Sequence, residues 1–398
     1  MDDTTAVSGR RLSLARITVS AGYAAQGLGY AVVVTALPVL KQRQHLDDTG
    51  VSLIILLVCL AAAGGSLLAD WLAVHGGSRT AIVVGLLLEA VALPAIASHI
   101  PIVPFVLAFA VYGLGLGTVD ASAGMQGVLV QKREGRSVMG GFFACYTGAA
   151  IVGALLMSAV ATTPAGASLA LLVATAVAAV VALVGARRFD PERATATTKE
   201  QKRRDPLPRT GITIFGMVIL AAFVADSAVS TWSTVYLQDG LRLTVVLAPL
   251  GYGLYQVAIL ITRLLADLVV RRAGRIPLAI VTTIVAVVGC CLVAIVPSPI
   301  AGLLGFALAG VGVGALVPLA FSSAGELDPA RSDEIVARVN LFNYAGAILG
   351  AVLPGLLSGS TGLGVAFLIP AVLLVPILVL ARHFGQGNET TGGALAAE

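Results

Sequence analysis

The sequence predicts an all-α membrane protein, with twelve transmembrane helices in two six-helix pseudo-symmetric halves. Three observations predict it. First, of 398 residues 58% are hydrophobic and 12% charged, with a mean hydropathy of +0.95, where a soluble domain carries about 25% charged residues. Second, the apolar sequence falls into runs near the ~20 residues that a helix needs to cross a bilayer. Third, the second half matches the first at one ungapped offset of 197 positions: Leu67-Leu68-Ala69-Asp70 falls on Leu264-Leu265-Ala266-Asp267. At the same offset Gly113, Gly115 and Gly117 fall on Gly310, Gly312 and Gly314, Phe109 on Phe306 and Gly153 on Gly350. One offset serving separate landmarks indicates a duplicated unit.

In order, the expected spans of the first half are Arg16–Leu40, Gly50–Val74, Arg79–Ser98, Pro104–Val130, Val138–Thr162 and Ala165–Val184. Those of the second are Gly211–Leu237, Val245–Val270, Ile276–Val296, Ile300–Phe321, Ile335–Leu357 and Leu363–Leu380. The first half occupies 1–186 and the second, with a short tail, 211–398. Between them 187–210 carries eight basic residues against four acids and no apolar face, so it reads as a solvated linker. The N-terminal apolar run is too long for a signal-peptide core and reads as a retained first span. Glycine, 45 residues in all, is abundant inside the spans, where small residues let helices approach closely in lipid.

Lys and Arg set the orientation. With the N-terminus inside, 21 of the 25 basic residues fall on the inner side, only Lys41, Arg43 and Arg242 outside, and Arg263 within a span. Both termini and the linker are therefore expected on the cytoplasmic side of a bacterial inner membrane. The same count explains the net charge of +4 without a nucleic-acid partner. The four cysteines lie in apolar segments without ligand spacing and the four histidines in loops or at segment ends, so no metal site is expected. Neither HExxH nor a GxSxG in a suitable context is present, and no enzyme is expected. No GxxxxGK[ST] loop occurs, so no nucleotide cofactor is implied and an ion gradient is the expected energy source.

Carboxyl groups deep in a bilayer are costly, and each is a functional candidate. Asp120 lies twelve residues before Lys132, about 18 Å along a helix and close to mid-membrane. Glu89, ten residues after Arg79, is about 15 Å in; Asp226 lies eleven residues before Leu237 in the seventh span. These three are the candidates for proton coupling. Polar and aromatic residues share single helix faces on other spans: Tyr23, Gln26 and Tyr30 on the first, Tyr252, Tyr255 and Gln256 on the eighth, and Asn340, Asn343 and Tyr344 on the eleventh. Trp232 closes the seventh span with Tyr236, the latter read as an interfacial anchor. Such a lining suits a neutral or weakly charged solute bearing rings or hydroxyls.

The 6+6 repeat, together with SLLADWLAVHGGSR (66–79) and RLLADLVVRRAGR (263–275), resembles the major facilitator superfamily and its loop signature between spans 2 and 3 and between 8 and 9. The strings ALPVLKQR (36–43), GTVDASAGMQGVLVQKREGRSVMGGFF (117–143), STWSTVYLQD (230–239) and RLLADLVVRRAG (263–274) are similar to a bacterial branch of it. That branch includes YbjJ and rhizopine-type transporters and lies near the fucose/proton symporters.

The resemblance implies the major facilitator fold, with the substrate between the halves near mid-membrane. It favours Asp120 as the proton carrier, because span 4 lines the cavity in that superfamily and fucose-type symporters have an acid on that helix. It adds Phe143 and Tyr146 on span 5 to the cavity candidates, with Gly124 standing where asparagine is usual and Phe143 where histidine is usual. It also assigns Asp70, Arg79, Arg263, Asp267 and Arg271 to a cytoplasmic gate. The expected function is proton-coupled secondary transport of a small-molecule substrate by a monomer in a lipid bilayer. Export is favoured by a narrow margin over uptake of a sugar- or polyol-like solute. A non-transporting receptor of the same fold is the reading from another class.

Overall fold

The computed structural model describes residues 3–134, 138–163, 165–191, 207–328 and 331–385. Among them twelve helices are long and apolar enough to cross a membrane, the number expected. The chain falls into two compact units, Met1–Gln201 and Lys202–Glu398. Most of the expected linker, residues 192–206, lies outside the described residues.

The first unit contains α1 (Asp3–Arg43), α2 (Asp48–Gly76), α3 (Ser78–Ala97), α4 (Ile102–Glu134), α5 (Met139–Val160) and α6 (Gly166–Arg188). The second contains α7 (Arg209–Val235) with a π-helical turn at Tyr236–Gly240, α8 (Pro249–Ala273), α9 (Arg275–Ile295), α10 (Pro299–Gly325) and α11 (Ser332–Thr361). Its last span is broken into α12 (Leu363–Ala366), α13 (Leu368–Leu374) and α14 (Ile377–Leu380). Pro370 and Pro376 each remove a helical N–H and crowd the preceding turn, which accounts for the segmentation. The eighth span opens four residues later than Val245, because Pro249 occupies the first turn of α8, the position where a missing N–H costs least.

Inside each unit the helices pair in the same way. In the first, α1 packs on α5 and α6, α2 on α4, and α3 on α4 and α6; in the second, α7 packs on α11 and α13, α8 on α10, and α9 on α10 and α13. The duplicated glycines are the contact points. A Cβ at Gly113 would stand 2.6 Å from the Val58 carbonyl oxygen, and one at Gly310 would stand 2.5 Å from that of Tyr255, 197 positions on. Gly115 and Gly312 would each place a Cβ 3.0 Å from a carbonyl, of Gly85 and Thr282. Gly117 and Gly314 lie against the Ala62 and Ile259 carbonyls. All three pairs of neighbours keep the same offset, so the repeat preserves helix contacts and not only composition. Small residues at helix crossings allow this backbone approach in lipid.

The turn after the second helix of each unit is also duplicated. Gly77 (φ 86°) donates its N–H to the Ala73 carbonyl, and Gly274 (φ 88°) donates to the Val270 carbonyl. Only glycine adopts that φ without strain.

Beyond this turn the units differ. In the second, Arg275 Nη1 and Nη2 donate to Glu326 Oε2 and Oε1 at 2.5 and 2.7 Å, a bidentate pair joining the start of α9 to the end of α10. Hydrogen bonds from Arg275 hold the Glu326 carboxyl below its ordinary value. A depressed carboxyl contributes stability above the unfolded pKa and loses it as pH falls through the folded one. The thermal midpoint of the wild type is therefore expected to fall more steeply between about pH 5 and pH 3 than that of Arg275→Gln. Parallel slopes would remove the pair from the account of stability.

In the first unit the corresponding place holds a knot built around an amide side chain. Gln126 Nε2 donates to Ser78 Oγ and to the Asp190 carbonyl, both at 2.8 Å, and its Oε1 accepts from Asp190 N at 2.9 Å. Arg133 pairs with the Asp190 carboxylate. Phe189 is buried against Gly22 and Gly185, and Asp190 is only 8% exposed. The expectation that the solvated linker begins at 187 is corrected here: Phe189 and Asp190 are packed, because two glycines leave room for the ring and Gln126 satisfies the backbone behind it.

Candidate functional site

In the first unit, α1, α3 and α4 bring three polar side chains together near mid-span. Gln26 Nε2 donates to Asp120 Oδ1 at 2.8 Å and to the Leu116 carbonyl at 3.4 Å. The residue is 2% exposed, and its Oε1 has no protein partner among the described residues. Glu89 is 1% exposed. Its Cγ lies 3.0 Å from where a Gly115 Cβ would stand and its Oε2 3.9 Å from a Gly29 Cβ, so glycines on two neighbouring helices make its room. Its Oε1 likewise lacks a partner among the described residues, and the Glu89 and Asp120 carboxyls lie in each other's field. An unpaired charge in such a place would be costly, which argues that Glu89 is held neutral.

Asp120 differs from Glu89 in one respect. Its side chain is exposed, although it lies fourteen residues from the end of a 33-residue helix. A carboxylate at that depth is disfavoured in hydrocarbon by about 2.5–3.5 kcal/mol or more, which makes the exposed face that presents it a candidate functional surface. Around it, the Tyr23 hydroxyl sits in the Asp120 field. The Tyr23 ring stacks on Phe142 (centroids 5.6 Å apart, 10° between planes) and meets Phe143 edge-on at 5.6 Å. Phe143 is 47% exposed, while Tyr30 and Tyr146 are half-buried. One turn beyond Asp120, a Cβ on Gly124 would meet no atom within 4 Å.

The second unit has its own cluster. Tyr255, fully buried on α8, donates its hydroxyl to Asp226 Oδ1 at 2.5 Å. Arg263, two turns along α8 from Tyr255, lies in the Asp226 field. Gln256 Nε2 donates to the Tyr252 hydroxyl at 2.7 Å. Asn343 donates to Asn340 at 3.1 Å on α11, and Tyr344 is exposed. The structure thus bonds Asp226 to a buried tyrosine within the field of a cation, a neighbourhood that sequence separation concealed.

Trp232 is wholly buried and donates Nε1–H to the Ala351 carbonyl at 2.8 Å, which ties α7 to α11. One expectation is corrected. Tyr236 is no interfacial anchor. It is 5% exposed, donates its hydroxyl to the Val293 carbonyl at 3.0 Å, and packs against Phe306 and Phe367. Both rings are needed to fill the second unit's core, and both polar atoms find backbone carbonyls there.

Of the expected gate, Asp70 and Arg271 are exposed and Arg79 is half-buried. Arg263 is drawn toward Asp226, and the side chain of Asp267 lies outside the described residues. The Gln126 knot was missed, although its signal was present: a glutamine in the middle of the apolar string GMQGVLV must find hydrogen-bond partners.

Comparison with known proteins gives one family. The sequence model of the Major Facilitator Superfamily matches residues 19–332. An uncharacterised MFS-type transporter of Yersinia pestis is 26% identical over 359 residues, which cover 89% of this chain and 92% of that protein. The uncharacterised transporter y4wD of Sinorhizobium fredii is 27% identical over 385 residues, covering 95% and 100%. Among solved structures, a mutant of the nucleoside transporter NupG matches 95% of this chain and 100% of its own at a TM-score of 0.74. Its identity is 13%, so the likeness is one of fold.

Proposed function

We infer that this chain, which belongs to the Major Facilitator Superfamily, is a secondary transporter that couples movement of a small organic solute to a proton gradient, with Asp120 as the proton carrier. The observation that supports the coupling is the contrast at mid-span: Asp120 lies on an exposed face while Glu89, beside it, is sealed in protein. A group that loads and releases a proton during transport needs access to both water and a low-dielectric surround. Gln26 orients the carboxyl through a bond that an ionised or a protonated oxygen can accept. The basic residues, 21 of 25 on one side, support a bacterial cytoplasmic-membrane location with both termini inside. Asp70 and Arg271, both exposed, belong to this reading as parts of a cytoplasmic gate, and the transporter is taken to act as a monomer by alternating access.

Export of the solute is the preferred direction. Uptake of a sugar- or polyol-like solute draws support from the Asn340 and Asn343 pair on α11, amides of the kind that bind hydroxyl groups. The two are separated by following pH inside proteoliposomes while sugars, cyclitols and amphiphilic drugs are added outside. A proton flux that follows the solute inward supports uptake, and one opposed to it supports export. Absence of any solute-dependent flux would overturn the coupling and leave the receptor reading.

A further inference from the structure

We propose that the exposed face of the first unit, where Asp120 and Phe143 flank Tyr23, binds a monovalent organic cation that carries an aromatic or other flat apolar group. The inference deepens the transport reading and rests on it, since it names the class of solute.

Three features of the face support it. Among the described residues, Asp120 is the exposed acid of the face at this depth, and Gln26 reaches it by a single hydrogen bond to Oδ1, which leaves Oδ2 to meet a ligand. The aromatic wall is built. Tyr23 is fixed by stacking on buried Phe142, and it supports Phe143, whose ring is 47% exposed. A cation over the face of that exposed ring is attracted by the ring quadrupole. Lastly, the space is empty of side chain: a Cβ on Gly124 or on Gly140 would have nothing within 4 Å.

Charge complementarity selects a cation over a neutral solute. Among the described residues of the first unit, Asp120, Glu89 and the hydroxyls of Tyr23, Tyr30 and Tyr146 are titratable groups around this face. Arg16 is the cation on the neighbouring stretch of α1, seven residues before Tyr23, and it lies 4.0 Å from Glu134 at the end of α4. Its Nη2 approaches Gly141 and not Gly124. Among the described residues of the first unit no basic group pairs with Asp120, so an anionic solute would meet an unneutralised carboxylate there.

The test is equilibrium binding of tetraphenylphosphonium and benzyltrimethylammonium to the full chain in nanodiscs, against protein-free discs, with benzyl alcohol as the uncharged comparator. At least one cation is expected to bind saturably and benzyl alcohol not to bind. Asp120→Asn is expected to weaken the cation about tenfold or more and Asp120→Glu to restore it. Phe143→Leu is expected to weaken it about fivefold, the worth of one cation–π contact. Gly124→Leu fills the open space and is expected to block binding while leaving the thermal midpoint unchanged, which separates occlusion from misfolding.

Failure of both cations to bind, equal binding of benzyl alcohol, or full affinity in Asp120→Asn would each overturn the proposal. Proton flux provides the separation from the transport reading. Flux lost in Asp120→Asn with cation affinity intact leaves coupling standing and removes this proposal. Asp120-dependent cation binding without solute-driven proton flux does the reverse.

Discussion

Asp120→Asn is expected to reduce substrate-driven proton movement in proteoliposomes to the leak of protein-free vesicles, a fall on the order of a hundredfold, as for other positioned proton carriers. The substitution is nearly isosteric, and the asparagine Oδ1 still accepts from Gln26 Nε2, the contact that measures 2.8 Å in the native chain. What disappears is the exchangeable carboxyl proton. The folded state should be unaffected, so size-exclusion profile and thermal midpoint should match the wild type while flux is lost. Glu89→Gln provides the contrast. That carboxyl is sealed at 1% exposure with one oxygen unpartnered among the described residues, and a neutral amide replaces a group already argued to be neutral. A much smaller effect on flux is expected there. Flux that survives in Asp120→Asn would transfer the role to Asp226 or Glu89.

Gly117→Val is expected to prevent accumulation of folded protein. A Cβ at Gly117 would overlap the Ala62 carbonyl of α2, and the obstructing atom is backbone, which cannot rotate aside. Overpacking costs about 1–3 kcal/mol where side chains can yield, and more is expected here, against a total stability of about 5–15 kcal/mol. Gly314→Val, whose Cβ would stand 3.0 Å from Ile259 backbone atoms, should be destabilising to a lesser degree in the second unit. Gly124→Ala, with open space at its Cβ, is the control and should be neutral. The readout is the monodisperse fraction on size exclusion after membrane extraction. A normal yield of Gly117→Val would show that α2 and α4 do not depend on this close approach.

The twelve spans, the 6+6 repeat and the family were legible in the residues because each is a property of order along the chain. Bilayer thickness sets span length, and duplication repeats spacing, which is why Gly113, Gly115 and Gly117 could be laid on Gly310, Gly312 and Gly314 before any helix was placed. Depth was legible too: counting at 1.5 Å per residue put Asp120 and Glu89 near mid-membrane. Direction around the helix was not. Lipid and protein core are equally apolar, so the polar-to-apolar contrast that marks the buried face of a soluble helix is missing, and Leu67 is exposed where Leu86 is buried. Only packing within each six-helix unit decided that Asp120 is exposed while Glu89 is not. Packing likewise left Phe143 open and enclosed Trp232, put Arg263 in the field of Asp226, and drew Phe189 and Asp190 into the first unit. Sequence order determined which groups lie far from the span ends, and helix packing determined which of them are exposed and which meet one another.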